Sequence, residues 1–123
     1  MQTQPLSMAE FKIAVVLPCY NEEHAIAKVI SEFQEALPEA AIYVFDNNSS
    51  DRTAEVARDC GAKVEHVALQ GKGNVVRRMF ADVEADIYLM TDGDCTYDVS
   101  VARNLIDKLI AEMLPKENKE FEL

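Results

Sequence analysis

Short apolar runs alternate with longer amphipathic segments along this chain. Four short runs predict β-strands, at residues 13–17, 41–45, 63–67 and 86–91. Between and after them, apolar positions recur at the spacing of an amphipathic helix, over residues 25–37, 54–60, 75–83 and 101–113. Strand runs that stay apolar without alternation are typical of strands that helices cover on both faces. The sequence therefore predicts an α/β fold with the element order βαβαβαβα.

The connections between these elements are short, which favours a mostly parallel sheet in a three-layer sandwich, with 3-2-1-4 as the expected strand order. Local signals predict where elements end: Pro18 stops the first strand, Asn21 caps the first helix and Gly61 ends the second. No repeat or linker divides the sequence. Residues 1–123 are expected to form one domain, with a flexible start at 1–10 and a charged tail at 116–123.

Composition narrows the classes of partner. Hydrophobic residues make up 49% of the chain, which favours a folded globular protein over a disordered one. The net charge of -10 disfavours binding to nucleic acid. Three widely spaced cysteines, without a Cys-x-x-Cys pair, favour reduced thiols and a cytoplasmic location. Neither a membrane-spanning run nor a signal peptide is predicted.

The fourth predicted strand ends abruptly in Asp92-Gly93-Asp94. Two close carboxylates repel each other unless a cation lies between them. A hard divalent ion such as Mg²⁺ or Mn²⁺ takes oxygen ligands and is commonly shared between carboxylates and substrate phosphates. Gly93 allows a tight turn and a close approach by a ligand. The motif indicates a metal–diphosphate site, and the alternative is a solvated turn with two acids.

Polar residues also follow the first two strands. In an open parallel sheet, ligands bind beyond the carboxyl ends of the strands, where the strand order reverses. The loops expected there are residues 18–22, 46–49 and 92–96. Tyr20 could pack on a base or ribose. Lys72, in Gly71-Lys72-Gly73, could meet a phosphate, although neither a P-loop nor a dinucleotide fingerprint is present.

Each of these residues also has a structural interpretation. Glu22 could serve only as an acid at a helix N-terminus. Asp46 and Asn47 could form an Asx turn. Arg77 and Arg78 are expected to form surface ion pairs. The convergence of three polar strand ends on one edge still favours a nucleotide–metal site over a set of solvated turns.

Three ordered motifs resemble the nucleotide-sugar-binding half of family-two glycosyltransferases, most of all the dolichol-phosphate mannosyltransferase-like branch. They are VLPCYNEE at residues 16–23, VFDNNSSDRT at residues 44–53, and Asp92-Gly93-Asp94. Gly71-Lys72-Gly73-Asn74 fits the same branch. The resemblance covers residues 12–97, and the three motifs together are specific where each alone is not.

The resemblance implies a GT-A fold, which is a Rossmann-like α/β sandwich, and a UDP- or GDP-sugar donor. Asp92 and Asp94 would hold Mn²⁺ or Mg²⁺ on the donor diphosphate, with Gly93 between them. It also implies inverting transfer by one displacement that a general base assists. The residues that would line the nucleoside pocket are Pro18, Tyr20 and Glu22, with Phe45, Asp46 and Asn47 beside the base.

Two departures from the family pattern matter. Members often carry an acid where Asn47 stands. The sequence also ends soon after the helix that follows Asp92-Gly93-Asp94, so the family's acceptor-binding half is expected to lie beyond it, and no residue here can be assigned as the general base. The acceptor, a lipid phosphate or a saccharide, stays open; a lipid acceptor would place the protein at the cytoplasmic face of a membrane. Two alternatives remain: a donor-binding domain without turnover that self-associates into homo-oligomers, and a flavodoxin-like interaction domain whose acids bind Mg²⁺ alone.

Overall fold

All eight predicted elements are present in the computed structural model, which describes residues 11–68, 71–93 and 98–113 but not the side chain of Lys72. The elements are β1 (Ile13–Cys19), α1 (Ile26–Ala36), β2 (Ala41–Asp46), α2 (Thr53–Asp59), β3 (Lys63–His66), α3 (Lys72–Asp82), β4 (Ile87–Met90) and α4 (Val99–Met113). The predicted flexible start at 1–10 and charged tail at 116–123 lie outside the described residues, as does Asp94.

The four strands form one parallel sheet in the order β3-β2-β1-β4, so the predicted order is confirmed. The central strand β1 pairs with β2 through Cys19 opposite Asp46, and with β4 through Val16 opposite Met90. The chain moves from β1 to β3 in one direction and then crosses back to β4. That reversal places a switch point between β1 and β4, at the carboxyl ends of both strands.

Two apolar clusters fill the spaces on either side of the sheet. The larger cluster packs α1, α2 and α4 on one face through residues such as Ile30, Ala57 and Ile106. The smaller cluster packs α3 on the opposite face through Val75, Met79 and Val83. Crossovers between parallel strands are right-handed. Helices α1 and α2 belong to crossovers that move along the sheet in one direction, whereas α3 belongs to the crossover that returns from β3 to β4, so α3 covers the opposite face. The three-layer arrangement follows from this.

Pro18 does not end the first strand, so that prediction is wrong. The strand β1 continues to Cys19, whose carbonyl accepts the N–H of Asn47 at 2.8 Å. Backbone groups along β1 face β2 and β4 in turn, and those of Val16 face β4. Pro18 therefore faces β4 as well, beyond the last β1–β4 pair, where its missing N–H costs no ladder bond.

An ion-pair cluster fixes the helix that follows the candidate metal motif. Arg103 of α4 binds both carboxylate oxygens of Glu39, at 3.0 and 2.8 Å, and also Asp107 at 2.9 Å. Its guanidinium donates to the carbonyl of Ala36 at the end of α1 as well. These hydrogen bonds from Arg103 lower the pKa of the Glu39 carboxyl. The contacts hold α4 against α1.

Among the described residues, no helix has the length and apolar content that crossing a bilayer requires.

Candidate functional site

Three strand ends meet at the carboxyl edge of the sheet, as the sequence predicts. Asn47 donates to Cys19 O at 2.8 Å, which joins the end of β2 to the end of β1. Thr91, directly before Asp92, donates to Val16 O at 3.1 Å, which joins the end of β4 to the other side of β1. Tyr20, Asp46 and Asp92 therefore follow neighbouring parallel strands on one edge.

The loops after β1 and β2 are tied together by reciprocal hydrogen bonds. The backbone N–H of Asn21 donates to Ser49 Oγ at 2.9 Å, and Asn21 Oδ1 accepts the N–H of Ser50 at 2.9 Å. Asn21 holds this position with a φ of 52°, in the left-handed region that asparagine tolerates better than most residues. The predicted cap of α1 is therefore wrong. Helix α1 begins at Ile26, and Ala25, rather than Asn21, is at its N-cap position without a side-chain cap.

A second group of hydrogen bonds continues the tie toward α2. Thr53 Oγ1 accepts the N–H of Glu22 at 2.8 Å, and Asp51 Oδ2 accepts the N–H of Glu23 at 3.2 Å. Asp51 Oδ1 accepts the N–H of Thr53 at 3.0 Å. Desolvation acts to raise the pKa of Asp51, but hydrogen bonds from Thr53 and Glu23 outweigh it and hold the pKa below its usual value. We call the set Asn21, Ser49, Ser50, Asp51 and Thr53 the loop tie.

Sequence reasoning did not find the loop tie as a unit. The signal for it is the run of short polar residues at positions 47–51, directly after an apolar strand. Such side chains bond nearby backbone groups readily, which predicts a local turn. Ser49, Ser50 and Asp51 of this run bond residues 28 or 29 positions away in the other loop, so only the strand register reveals these partners.

Asp46 and Asn47 are both buried, at 6% and 8% exposure. Asp46 Oδ1 accepts the N–H of Ser49 at 3.1 Å, so the carboxylate bonds the following turn as the Asx-turn alternative expects. Its Oδ2 lies 4.0 Å from His66 Nδ1. Asn47 Nδ2 donates to Gly71 O at 3.4 Å. Its Oδ1 is buried without a hydrogen-bond partner among the described residues. A buried acceptor in that state is suited to a ligand N–H.

Tyr20 and Phe45 differ sharply in burial. Tyr20 is 53% exposed at the end of β1, so its ring is available to a ligand. Phe45 has no exposed surface and belongs to the apolar cluster beneath α3. Of the two aromatic residues that the resemblance assigns to a nucleoside pocket, Tyr20 is exposed and Phe45 lies within the core at the end of β2.

Carboxylates dominate the electrostatics of this edge. The pKa of the Cys19 thiol is raised, first by burial and then by the negative charges of Glu22, Asp46, Asp92 and Asp51. Negative charges in all three loops therefore act on the pKa of this one buried thiol. A divalent cation would reduce their mutual repulsion, and their oxygens are the donors that Mg²⁺ and Mn²⁺ prefer. Within the described residues, no three His, Cys, Asp or Glu side chains form a preassembled metal cluster.

The candidate phosphate loop lies at the start of α3. Gly71 precedes this helix with a φ of 109°, a conformation that favours glycine. The side chain of Lys72 lies outside the described part of the chain. Arg78 pairs with Asp82 at 2.7 Å and with Glu65 at 3.8 Å, so the predicted surface ion pair of Arg78 is confirmed.

Comparison with known proteins decides the family. The sequence profile described as glycosyl transferase family 2 matches residues 14–114. This chain belongs to glycosyl transferase family 2. The matched residues include all three strand-end loops. The family assignment therefore rules out the alternative of a flavodoxin-like interaction domain.

Relatives within the family differ in length. Protein RfbJ of Shigella flexneri is 64% identical over 104 residues, which cover 85% of this chain and 81% of RfbJ. A dolichyl-phosphate hexose transferase of Haloferax volcanii is 34% identical over 95 residues, which cover 77% of this chain and 42% of that enzyme. The chain thus spans most of one relative and less than half of the other.

Solved structures of glycosyltransferases share the fold. Glucosyl-3-phosphoglycerate synthase from Mycobacterium tuberculosis, crystallised with Mn²⁺, UDP and glucosyl-3-phosphoglycerate, superposes with a TM-score of 0.63 at 31% identity. The alignment covers 70% of this chain and 34% of the synthase. The predicted glycosyltransferase family and GT-A fold are therefore confirmed.

Proposed function

We propose that this family 2 chain binds a UDP- or GDP-sugar together with Mn²⁺ or Mg²⁺ at the carboxyl edge of its sheet. The observation that carries the proposal is the meeting of Tyr20, Asp46–Asn47 and Asp92 on one edge, beside loops that the loop tie holds together. The synthase crystallised with Mn²⁺ and UDP supports the ligand class.

Asn47 accounts for the choice of base. Its Nδ2 donates to Gly71 O, which leaves Oδ1 as the acceptor toward a ligand. Uracil and guanine carry a ring N–H on the Watson–Crick edge that can donate to this oxygen. Cytosine and adenine carry an acceptor nitrogen at that ring position, so in the same pose they would leave Asn47 Oδ1 unpaired, at a cost of about 1–3 kcal/mol, unless the base shifts to donate from its exocyclic amino group. The exposed ring of Tyr20 would pack on the base or ribose.

The chemistry proposed is inverting glycosyl transfer. The acceptor oxygen forms a bond to the anomeric carbon while the bond from that carbon to the diphosphate oxygen breaks, and the acceptor proton passes to a general base. A divalent cation bound by Asp92 and Asp94 would neutralise the charge on the departing nucleoside diphosphate. We assign Pro18 and Glu22 to the nucleoside side of the pocket and Lys72 to contact with a phosphate.

The relatives support two acceptor classes. A lipid phosphate is one candidate, because a dolichyl-phosphate hexose transferase is similar to this chain. A small hydroxylated acceptor is the other, because the synthase in the superposition was crystallised with glucosyl-3-phosphoglycerate. With a lipid phosphate, we place the protein in the cytoplasm, peripheral at the cytoplasmic face of the membrane.

Calorimetric titration with UDP, GDP, CDP and ADP, with Mn²⁺ and with EDTA, tests the proposal. We expect UDP or GDP to bind about 10-fold or more tightly with Mn²⁺, and CDP and ADP to bind about 10-fold more weakly than the preferred nucleotide. Asn47→Leu should remove the preference among bases, whereas Asn104→Leu, on the exposed surface of α4, should keep it. No Mn²⁺-dependent binding of any of the four nucleotides would overturn the proposal.

A second candidate function is donor binding without turnover, in a self-associating protein. The observation that favours it is a row of exposed apolar side chains on α4, Val101, Leu105, Leu109 and Met113, which are 43–55% exposed. Val101, Leu105 and Leu109 line clefts beside β4. The outer edge of β4 pairs with no other described strand. Exposed apolar surface beside a free strand edge favours association with a second copy.

Light scattering over a range of concentrations checks this second candidate. We expect the mass to rise toward that of a dimer, and Leu105→Glu/Leu109→Glu to restore the monomer. Lys28→Glu is the control, because Lys28 is exposed on α1, outside this row, and the substitution makes the net charge more negative by the same amount as the double variant. A strictly monomeric wild-type protein at high concentration contradicts self-association. Sugar transfer by the purified chain would exclude a role limited to donor binding.

A further inference from the structure

Gly93 is buried at the turn that follows β4, and it occupies a space that admits no side chain. A Cβ added there would lie 2.6 Å from Cys19 Sγ and 3.3 Å from Ile26 Cδ1. Non-bonded heavy atoms normally pack at about 3.5–4.0 Å. The backbone of Gly93 does not adopt the positive φ seen at Gly61 and Gly71. Its need for glycine is therefore steric rather than conformational.

Cys19 cannot easily move away from this contact. Its side chain is 2% exposed, and its thiol donates to Leu17 O at 3.4 Å. Its carbonyl accepts the N–H of Asn47, and the residue is paired with Asp46 in the sheet. The central strand thus fixes the position of Cys19 Sγ, and the backbone of Gly93 packs against this sulfur.

We propose that Cys19 is a positioning residue for the candidate metal site: its thiol sets the position of Gly93 and thereby of Asp92, the candidate metal ligand directly before it. The inference rests on the function proposed above. Mg²⁺ demands a near-ideal arrangement of oxygen ligands at about 2.0–2.1 Å, so a displaced turn would weaken cation binding before it disrupts the fold. The side-chain sizes at positions 19 and 93 are then coupled: with a thiol at position 19, position 93 has no room for a methyl group.

A volume exchange between the two positions tests the coupling. Gly93→Ala places a methyl group against Sγ, and we expect the Kd for UDP or GDP with Mn²⁺ to rise about 10-fold. Cys19→Ala removes Sγ from beneath the turn, and we expect a rise of about 3-fold. In Cys19→Ala/Gly93→Ala the added methyl group takes the place of the sulfur, and we expect a Kd within about 2-fold of wild type. For Cys19→Ala alone, the Kd in EDTA should stay within about 2-fold of wild type.

Cys60→Ala is the matched control, because Cys60 is a free cysteine at the end of α2, remote from Gly93. Added to Gly93→Ala, it should restore nothing. Thermal unfolding checks that each variant is folded. If Gly93→Ala does not fold, the single variant Cys19→Ala and the double variant carry the test.

Several outcomes overturn the positioning role: a wild-type Kd for Cys19→Ala with Mn²⁺, a double variant no tighter than the weaker single variant, or equal rescue by Cys60→Ala. Mn²⁺-dependent binding that neither single variant changes would overturn the positioning role alone. Nucleotide binding by the wild type that shows no dependence on Mn²⁺ would overturn the proposed function and the positioning role together.

Discussion

Asp92→Asn and Asp94→Asn are each expected to weaken Mn²⁺-dependent binding of the nucleotide by about 10-fold or more, which corresponds to about 1.4 kcal/mol. Each variant keeps the size of the side chain and removes one anionic oxygen ligand. Asp92 lies two residues beyond Met90, the paired end of β4, beside the switch point of the sheet. The assignment of Asp94 as the second ligand comes from the resemblance of the motif, since Asp94 lies outside the described residues.

Titrations with Mn²⁺ and with EDTA separate ligand loss from a general change in charge. Without metal, removal of one carboxylate lowers the repulsion of the nucleotide, so affinity in EDTA should stay level or rise. Asp59→Asn is the control, because it makes the same charge change at the end of α2, away from the site. Equal Mn²⁺-dependent affinity in wild type and Asp94→Asn would refute the assignment of Asp94 as a metal ligand.

Phe45→Ala is expected to lower mainly the stability of the fold, and Tyr20→Ala to weaken mainly the binding of the nucleotide. Phe45 is fully buried, so truncation leaves a cavity in the cluster beneath α3 and should lower the free energy of unfolding by about 3–5 kcal/mol. Tyr20 is 53% exposed, so truncation should change the free energy of unfolding by less than about 1 kcal/mol. Loss of its ring should still weaken nucleotide binding by about 10-fold, because stacking on a base is worth about 1–3 kcal/mol.

Urea unfolding and calorimetric titration of the same two proteins distinguish the roles. Phe45→Leu is the companion variant, since it keeps most of the buried volume and should lose much less stability than Phe45→Ala. Near-wild-type stability of Phe45→Ala would contradict its place in the core. Unchanged nucleotide affinity in Tyr20→Ala would contradict its place in the binding surface.

The order of apolar runs was enough to predict the sheet. Crossovers between parallel strands are right-handed and short, so few arrangements of four βα units are compatible with this pattern. The observed strand order is the predicted one. The carboxyl edge as the location of the candidate site followed from the same rule, because every polar cluster of interest comes after a strand rather than before one.

Local signals were less reliable where a distant partner competes. Asn21 has the residue type of a helix cap, but its side chain binds Ser50, 29 residues away. Pro18 has the residue type of a strand terminator, but its missing N–H faces a side where β4 has already ended. In both cases the neighbouring strand decides which role the residue takes.

The sequence by itself determined the element order, the parallel type of the sheet and the three motifs that place the chain in its family, because these depend on periodicity and on residue type. The strand order was an expectation for open parallel sheets, and the structure confirmed it. Only the tertiary structure decided that Asn21 and Ser49 join two loops, that Phe45 is buried beneath the site, and that Cys19 supports Gly93. Those contacts depend on the register between strands. A shift of one residue would turn each side chain to the opposite face, and no local pattern specifies that alignment to the last residue.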